Sequence, residues 1–509
     1  MTMKPVSDIL YLAPEELLGR IRRELDEAGA KPQRGVRGAD WLVLPSARRT
    51  VQLHVLPVGD EAFARAREHY YSFLVVDSRR LPEAPREERS GTFAQELTEK
   101  LHYTADPDRR FPLSRVIAVL EPDEDLPLRA FELGRLHIGG FVVEPFGGAL
   151  LDLVERLTDP HPGKAAICLA GGGVEGFIFE VGVLMALNAH LQSRSVTDAN
   201  IYCGISAGAI LAAFIANGAE PEEVAAAITD PNADSTVQAV RPSVIYDPHF
   251  KEYASRAWLL AKSLPIRSWS ELVSAVLKTV PMGFFSGDSL ERFIREQLVQ
   301  PGRTDDFRQL KRELYIGATD QDTSAHVVFG KGQWQDVPIS TAVRASAALT
   351  PFFDPVQIRG RYFVDGQYTR TSNFHLAVER GAKLVIVVDP LVPVRTDVPG
   401  YVAKKGGVFG GLQALKAVIH TRFFHAYQNA VDSYPQVDFL LFKPEEDDMR
   451  LMSGSPMKYN IRTEILNMAY RCAVRRIQRD FEKLEGIFAH HGFRLQRHPR
   501  LRGLHQRMT

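Results

Sequence analysis

Cysteine is scarce in this chain: three residues, Cys168, Cys203 and Cys472, in 509. Three thiols make no paired framework and show no metal spacing, which excludes a small stapled secreted fold and a structural zinc module. Cys168 and Cys203 fall in apolar runs that read as buried strands, where cysteine behaves as a small hydrophobe. A reducing compartment is the simplest inference. An excess of either charge is also missing, because 62 Lys and Arg balance 62 Asp and Glu. No global basic field exists to recruit nucleic acid. No apolar stretch approaches the roughly twenty residues of a membrane span, and Met1–Asp8 lacks the basic-then-apolar pattern of a leader. No internal repeat is present. The expectation is a cytoplasmic protein that touches membrane at most from the side. What is present is 45% apolar residues, enough for sizeable cores in roughly two to four domains.

The most informative stretch is Gly204-Ile205-Ser206-Ala207-Gly208. An apolar strand-like run (Ile201, Tyr202, Cys203) precedes it, and a helix-like run, Ala207 to Asn217, follows and stops at Gly218. Glycines two before and two after the serine let strand and helix pack closely, so Ser206 reads as the turn residue of a nucleophile elbow, its hydroxyl pushed out at the top of a sheet. It sits at a helix N-terminus, where partial positive charge favours a developing alkoxide. A serine hydroxyl is a weak nucleophile until a base takes its proton. The candidate base is Asp365, in Val364-Asp365-Gly366. Read alone, Asp-Gly is a hairpin-turn signal.

Upstream, the strand-like Lys164–Ala170 runs into Gly171-Gly172-Gly173-Val174-Glu175-Gly176 and then a helical pattern, Phe177 to Leu191, with Phe177, Val181, Leu184 and Leu187 at helical spacing. Adjacent glycines expose backbone N–H groups at a helix start, which suits an oxyanion. Gly171, Gly173 and Gly176 also satisfy the dinucleotide pattern Gly-x-Gly-x-x-Gly. That fingerprint expects an acidic residue ending the next strand; the next strand ends instead in the serine elbow. The oxyanion reading is favoured.

With these pieces in this order, the chain resembles the patatin-like phospholipases over roughly residues 163–442. Gly171–Gly176, Gly204–Gly208 and Asp365–Gly366 carry the resemblance. Gly182-Val183-Leu184, Phe284-Phe285-Ser286-Gly287-Asp288 and the approach Ala345-Ser346-Ala347-Ala348-Leu349-Thr350-Pro351-Phe352-Phe353 add to it. It implies an α/β fold with a mostly parallel sheet flanked by helices. It also implies a Ser206–Asp365 dyad that hydrolyses lipid acyl esters, with the Gly171, Gly172 and Gly173 amides as oxyanion hole and no metal or organic cofactor. Gly176, Gly204, Gly208 and Gly366 complete the motifs. The chain departs from the family at Glu175, where Arg or Lys is usual, and at Gln367, where a small residue is. Glu175 keeps open a second reading, a catalytically weak or inactive scaffold that acts as an interaction or regulatory protein. A carboxylate there opposes the oxyanion unless it points outward.

A full Ser–His–acid triad would need a downstream histidine in a loop after a late strand. His326 lies in a strand-like run, His420 and His425 in a helical segment, and His490-His491 near the tail, so none fits. Asp320 and Asp389 each end a strand-like run and read as loop-capping residues.

Residues 1–160 read as a separate, smaller α/β domain. Val51–Val55, Phe73–Val76, Val116–Leu120 and Gly140–Val143 alternate with helices near Glu61–Tyr70, Leu126–Leu133 and Gly148–Leu157, which argues a parallel sheet. This part faintly resembles a response-regulator receiver. Asp77 ends its strand, and Glu144-Pro145-Phe146 stands where receivers have Lys-Pro-Phe. Glu144 reverses the lysine's charge, no acidic pair follows a first strand, and Glu121-Pro122 replaces the hydroxyl residue. The resemblance therefore implies a degenerate domain for docking or self-association rather than a phosphoswitch.

The catalytic part is expected over 161–445, with a C-terminal helical extension and tail over 446–509. The extension reads as one helix, Tyr459–Glu485, stopped at Gly486. Between Pro248 and Pro281, Trp258, Leu259, Lys262, Arg267, Trp269 and Leu272 mix apolar and basic residues, suggesting helices that cover the site and lie against lipid headgroups; ordinary packed helices are the alternative. Gly406–Gly411 reads as a second mobile segment. The expected partners are a lipid or acyl-ester substrate and a peripheral membrane contact, with no nucleic acid.

Overall fold

The computed structural model describes residues 6–34, 40–44, 50–79, 100–101, 110–157, 163–192, 194–230, 235–262, 268–271, 282–445, 448–452 and 459–500. The chain divides into two compact units. One combines Met1–Gly163, Ala426–Phe439 and Ile477–Arg497; the other combines Lys164–His425, Leu440–Arg476 and His498–Thr509.

The first unit is built on β1 (Val6–Ala13), β2 (Lys31–Arg34), β3 (Asp40–Leu44), β4 (Thr50–Pro57), β5 (Phe73–Asp77), β6 (Val116–Val119) and β7 (Gly140–Val142), in the order β2-β3-β4-β1-β5-β6-β7. The last five of these are mutually parallel, and β2 and β3 form an antiparallel edge. Among the parallel five, the second in the chain lies outside the first, and the third, fourth and fifth follow on the other side. That is the flavodoxin-like doubly wound order. Strand side chains alternate between faces, so β1 feeds two cores. Ile9 and Tyr11 join Val75 and Ile117 beneath the helices Leu18–Glu27 and Leu150–Leu157, while Leu10 and Leu12 join Leu74 and Val76 beneath Asp60–Glu68.

Where the winding reverses, between β1 and β5, such sheets open a crevice at their carboxyl ends. Here it is sealed. The Tyr11 hydroxyl donates to Asp77 Oδ2 at 2.7 Å, and Arg79 Nη2 donates to the same oxygen at 2.9 Å. The guanidinium continues to both oxygens of Glu24 at 3.1 and 2.9 Å. Glu144 is exposed.

A second buried ionic cluster ties the later chain segments into this unit. Arg115 Nη2 lies 2.8 Å from Asp438 Oδ1, and His491 Nε2 lies 2.8 Å from Asp438 Oδ2. Arg115 Nε also donates to the Pro435 carbonyl at 2.6 Å. Burial alone would raise the Asp438 pKa, but Arg115 and His491 outweigh it and hold the carboxyl well below the usual carboxylate range. Removing one partner of a buried ion pair strands the other, at about 3–5 kcal/mol. Arg115→Met is therefore expected to lower the unfolding free energy by about that amount in urea titration. Because the folded pKa of Asp438 is depressed, its contribution is full at neutral pH and is lost as pH falls through its folded value. The deficit of the variant should shrink in acid.

The expected single C-terminal helix is two, Arg462–Arg479 and Phe481–His490, and the break falls at Asp480. Gly486 is no stop. It lies inside the second helix, where a Cβ would stand 2.6 Å from the Tyr70 side chain, so close approach selects glycine there. Likewise Gly407, Gly410 and Gly411, read as loose, form the first turns of the helix Gly407–Ser433.

The second sheet is built from β8 (Lys164–Leu169), β9 (Ile201–Ile205), β10 (Glu313–Asp320), β11 (His326–Phe329), β12 (Val356–Ile358), β13 (Arg361–Asp365), β14 (Ala382–Val388) and β15 (Asp438–Phe442). Their order is β12-β13-β10-β9-β8-β14-β15, with β11 also paired to β10. The four strands β10, β9, β8 and β14 are parallel and nearly all buried, as sheets covered on both faces are. The helix after β8, Gly173–His190, is apolar on every side and almost wholly buried. No described helix is long and apolar enough to cross a membrane.

The edges of β10 place the site. Antiparallel β11 takes one edge over Ile316–Thr319. Parallel β9 takes the other over Glu313–Gly317 and ends at Ile205. Antiparallel β13 then occupies the edge that β9 vacates, with Asp365 opposite Ala318. Two strands arriving from opposite directions thus end nose to nose along one edge, and their last residues lead into Ser206 and Asp365.

The charged stretch Pro82–Ser90 and the last residues of the tail lie outside the described residues, as do 263–267 and 272–281 of the insertion. The described part of the insertion is the helix Phe250–Lys262 and a short piece containing Trp269.

Candidate active site

Ser206 stands between β9 and the helix Ala207–Ala216 with φ 56° and ψ −126°, a conformation that side-chain-bearing residues rarely adopt. The neighbouring glycines make it tolerable. A Cβ at Gly204 would lie 2.5 Å from Ala209 Cα, and one at Gly208 would lie 2.4 Å from the Ala170 carbonyl oxygen. Both obstacles are backbone and cannot swing aside. Gly208→Ala is therefore expected to lose about 1–3 kcal/mol of stability as an overpacked site, seen as a lower midpoint in thermal unfolding.

The Ser206 hydroxyl donates to Asp365 Oδ2 at 2.6 Å, and both residues are buried, at 4% and 0% exposure. The second oxygen, Oδ1, accepts the Gln367 N–H at 2.8 Å. Burial drives the Asp365 pKa up to about 7, against the opposing pull of the Ser206 and Gln367 hydrogen bonds. The pair is held by backbone-directed contacts. Ser346 Oγ accepts the Ser206 N–H at 2.8 Å and donates to the Gly317 carbonyl at 2.6 Å. Thr319 Oγ1 donates to the Asp365 carbonyl at 2.9 Å. Gly366 lies so close to β10 that a Cβ would stand 2.3 Å from the Gly317 oxygen.

The glycine loop meets the same point. A Cβ on Gly171 would lie 2.5 Å from Ser206 Cβ, so only glycine lets the loop come this near. Gly172 packs on Pro390 and Gly176. Gly173 has φ 65° and begins the helix Gly173–His190. The amides of Gly171, Gly172 and Gly173 bond to no described residue. They form a short row of unused donors at a helix N-terminus, a place suited to negative charge. Glu175 does not point outward: it is 1% exposed.

No described histidine joins the pair. His326 places Nδ1 2.8 Å from Thr369 Oγ1 and Nε2 2.9 Å from Asn373 Oδ1, and burial lowers its pKa to about 4. His420 is also held down by burial. Asp320 accepts the Asp322 and Thr323 N–H groups, and Asp389 accepts that of Leu391, as loop-capping residues do. Glu445, Asp448 and Cys472 converge near the C-terminus, but Arg475 already pairs with both carboxylates.

From Ser206 an apolar pocket opens, walled by Phe177, Ile210, Phe214, Val244, Leu349 and Phe353. Sequence reasoning missed three supports. Ser346 was read only as part of an approach motif, while Thr319 and Arg422 carried no signal. Arg422 donates to the carbonyls of Tyr368 at 2.8 Å and Gln367 at 2.5 Å.

An α/β domain in which a strand–turn–helix elbow offers a buried serine to a buried carboxylate, beside unused glycine amides and an apolar pocket, is the class defined here. Residues 167–378 match the family model of the patatin-like phospholipases, and this part of the chain is a patatin-like phospholipase domain. Among solved structures, VipD from Legionella pneumophila aligns at 14% identity over 62% of this chain and 66% of its own, with a TM-score of 0.28. The type III effector protein ExoU aligns at 15% identity over 63% of this chain and 54% of its own, with a TM-score of 0.27. The chain thus spans less than two thirds of either structure. No curated protein matches it.

Proposed function

We propose that the chain is a serine-dependent hydrolase of lipid acyl esters, working through an acyl-Ser206 intermediate. The observation that carries this reading is the 2.6 Å hydrogen bond from Ser206 Oγ to Asp365 Oδ2. Ser206 Oγ attacks the ester carbonyl carbon while its proton passes to Asp365, and the carbonyl electron pair moves onto oxygen. That oxyanion faces the amides of Gly171, Gly172 and Gly173. Collapse expels the alcohol, which takes the proton from Asp365. A water then gives a proton to Asp365 as its oxygen bonds to the acyl carbon; collapse breaks the bond from that carbon to Ser206 Oγ, which takes the proton back from Asp365, and the fatty acid leaves. A carboxyl with a pKa of about 7 is matched to proton transfer near neutrality. These steps need no metal and no organic cofactor.

The apolar pocket holds the acyl chain. Burying a chain contributes about 0.8 kcal/mol per methylene, so filling the pocket should shift preference toward short chains. Ile210→Trp is expected to lower the ratio of kcat/KM for long over short esters at least about tenfold, the equivalent of roughly two methylenes. Val244 and Ile245 line this pocket, and the helix that follows shortly after exposes Phe250 and Trp258. We assign contact with the lipid surface to that helix, in a cytoplasmic protein bound peripherally. The first unit, with Leu128, Phe131 and Phe141 exposed, is assigned to docking or self-association.

Buried Glu175 beside the glycine loop favours a second reading, a domain without turnover that serves as a scaffold. Assays of the purified chain on a chromogenic short ester and a phospholipid panel separate the two. Hydrolysis that vanishes in Ser206→Ala supports the enzyme. A wild type as inert as Ser206→Ala supports the scaffold.

A further inference from the structure

We propose that Gln367 is a catalytic residue, its side-chain amide supplying an additional donor to the oxyanion. The inference rests on the hydrolase reading and adds to it a group that the sequence marked only as a departure from a small residue. Gln367 is 3% exposed, and its Nε2 has no hydrogen-bond partner among the described residues. That Nε2 and Ser206 Cβ lie 2.7 and 2.5 Å from one and the same point, the place a Gly171 Cβ would take. The amide therefore lies against the glycine loop, beside the nucleophile.

The backbone of Gln367 is fixed on both sides. Its N–H donates to Asp365 Oδ1 at 2.8 Å, and its carbonyl accepts from Arg422 Nη2 at 2.5 Å. A buried amide donor without an acceptor is unfavourable, and the penalty is relieved only when an acceptor arrives. The group that arrives beside Ser206 and Gly171 is the acyl carbonyl oxygen, whose negative charge is greatest in the tetrahedral intermediate. A preorganised neutral donor there acts in the transition state more than in the ground state. Unlike a lysine or arginine, it adds no permanent charge next to Asp365, whose basicity the reaction needs. When Ser206 Oγ bonds to the carbonyl carbon and its proton moves to Asp365, the oxyanion receives N–H bonds from the loop amides and from Gln367 Nε2.

The test compares wild type, Gln367→Met and Gln367→Glu on a soluble chromogenic ester, with thermal unfolding as a fold control. Loss of one oxyanion donor lowers kcat by about 100-fold or more, so Gln367→Met should lose about that factor in kcat with KM changed by less than about threefold. Gln367→Glu should be worse at pH 8 and should recover relative to wild type as pH falls, because a protonated carboxyl donates where a carboxylate repels. Binding of a trifluoromethyl ketone, which forms a stable oxyanion on the serine, should weaken in parallel with kcat. An active wild type with an equally active or faster Gln367→Met would overturn the assignment and make the side chain a mere filler over Gly171. A wild type that neither turns over ester nor binds the ketone would bring down the hydrolase reading, and the Gln367 role with it.

Discussion

Asp365→Asn should lower ester turnover by about 10³-fold or more, since general-base catalysis contributes roughly 10²–10⁴, while leaving the fold intact. Asparagine keeps the size of the side chain and can still accept the Gln367 N–H with its carbonyl oxygen. What it cannot do is take the Ser206 proton. The folded pKa of Asp365 is raised to about 7 from 3.8. The fold therefore binds this proton more tightly than the unfolded chain, and the resulting stability is full below about pH 4 and lost as pH rises through 7. At pH 8 the wild type carries a buried carboxylate that the variant lacks, so Asp365→Asn should unfold at the same temperature or higher. Loss of activity together with retained or improved stability separates a chemical role from a structural one. Near-normal turnover would mean that another group is the base.

The second large effect is on pH. A base that titrates near 7 must be deprotonated to act, so kcat/KM for a soluble ester should fall about tenfold per unit below that pH. From pH 7, where half of the base is already protonated, to pH 5 the decline should be about 50-fold. Asp389 is a built-in control. It is also buried and also pushed up to about 7 by that burial, and it precedes Pro390, which packs on Gly172. Its carboxyl accepts the Leu391 N–H and does not bond to Ser206. Asp389→Asn should therefore leave the acidic limb in place. A limb that disappears in Asp389→Asn would move the essential titration away from Asp365.

The parts of the site legible in the sequence are those where the backbone itself is constrained. Gly204, Gly208 and Gly366 each lie against main-chain atoms that admit no Cβ, and such positions announce themselves as glycine beside Ser206 and Asp365. The buried parallel strands were readable too, because β8, β9 and β14 are apolar on both faces. Side chains that matter only through tertiary placement were not. Ser346 hydrogen-bonds the Ser206 amide from a helix 140 residues away, and nothing in its neighbours says so. Gln367 reads only as a departure from a small residue, because its meeting with Gly171 exists only in the fold.

The same limit explains the misreadings. β1 went unseen because Ser7 and Asp8 open it with polar residues, although Ile9 to Ala13 are wholly buried. Gly486 looked like a helix stop because local pattern cannot show the Tyr70 ring against it. Asp77 reads as a strand-end residue and is one, but its bonds from Tyr11 and Arg79, and those of Arg79 to Glu24, join segments far apart in the chain.

Treating the full chain with a fluorophosphonate and mapping the adduct by tandem mass spectrometry probes the Ser206–Asp365 pair directly. One phosphonylated residue is expected, Ser206, with labelling absent in Ser206→Ala and strongly slowed in Asp365→Asn. A wild-type chain that stays unmodified, or that carries the label on another residue, contradicts it.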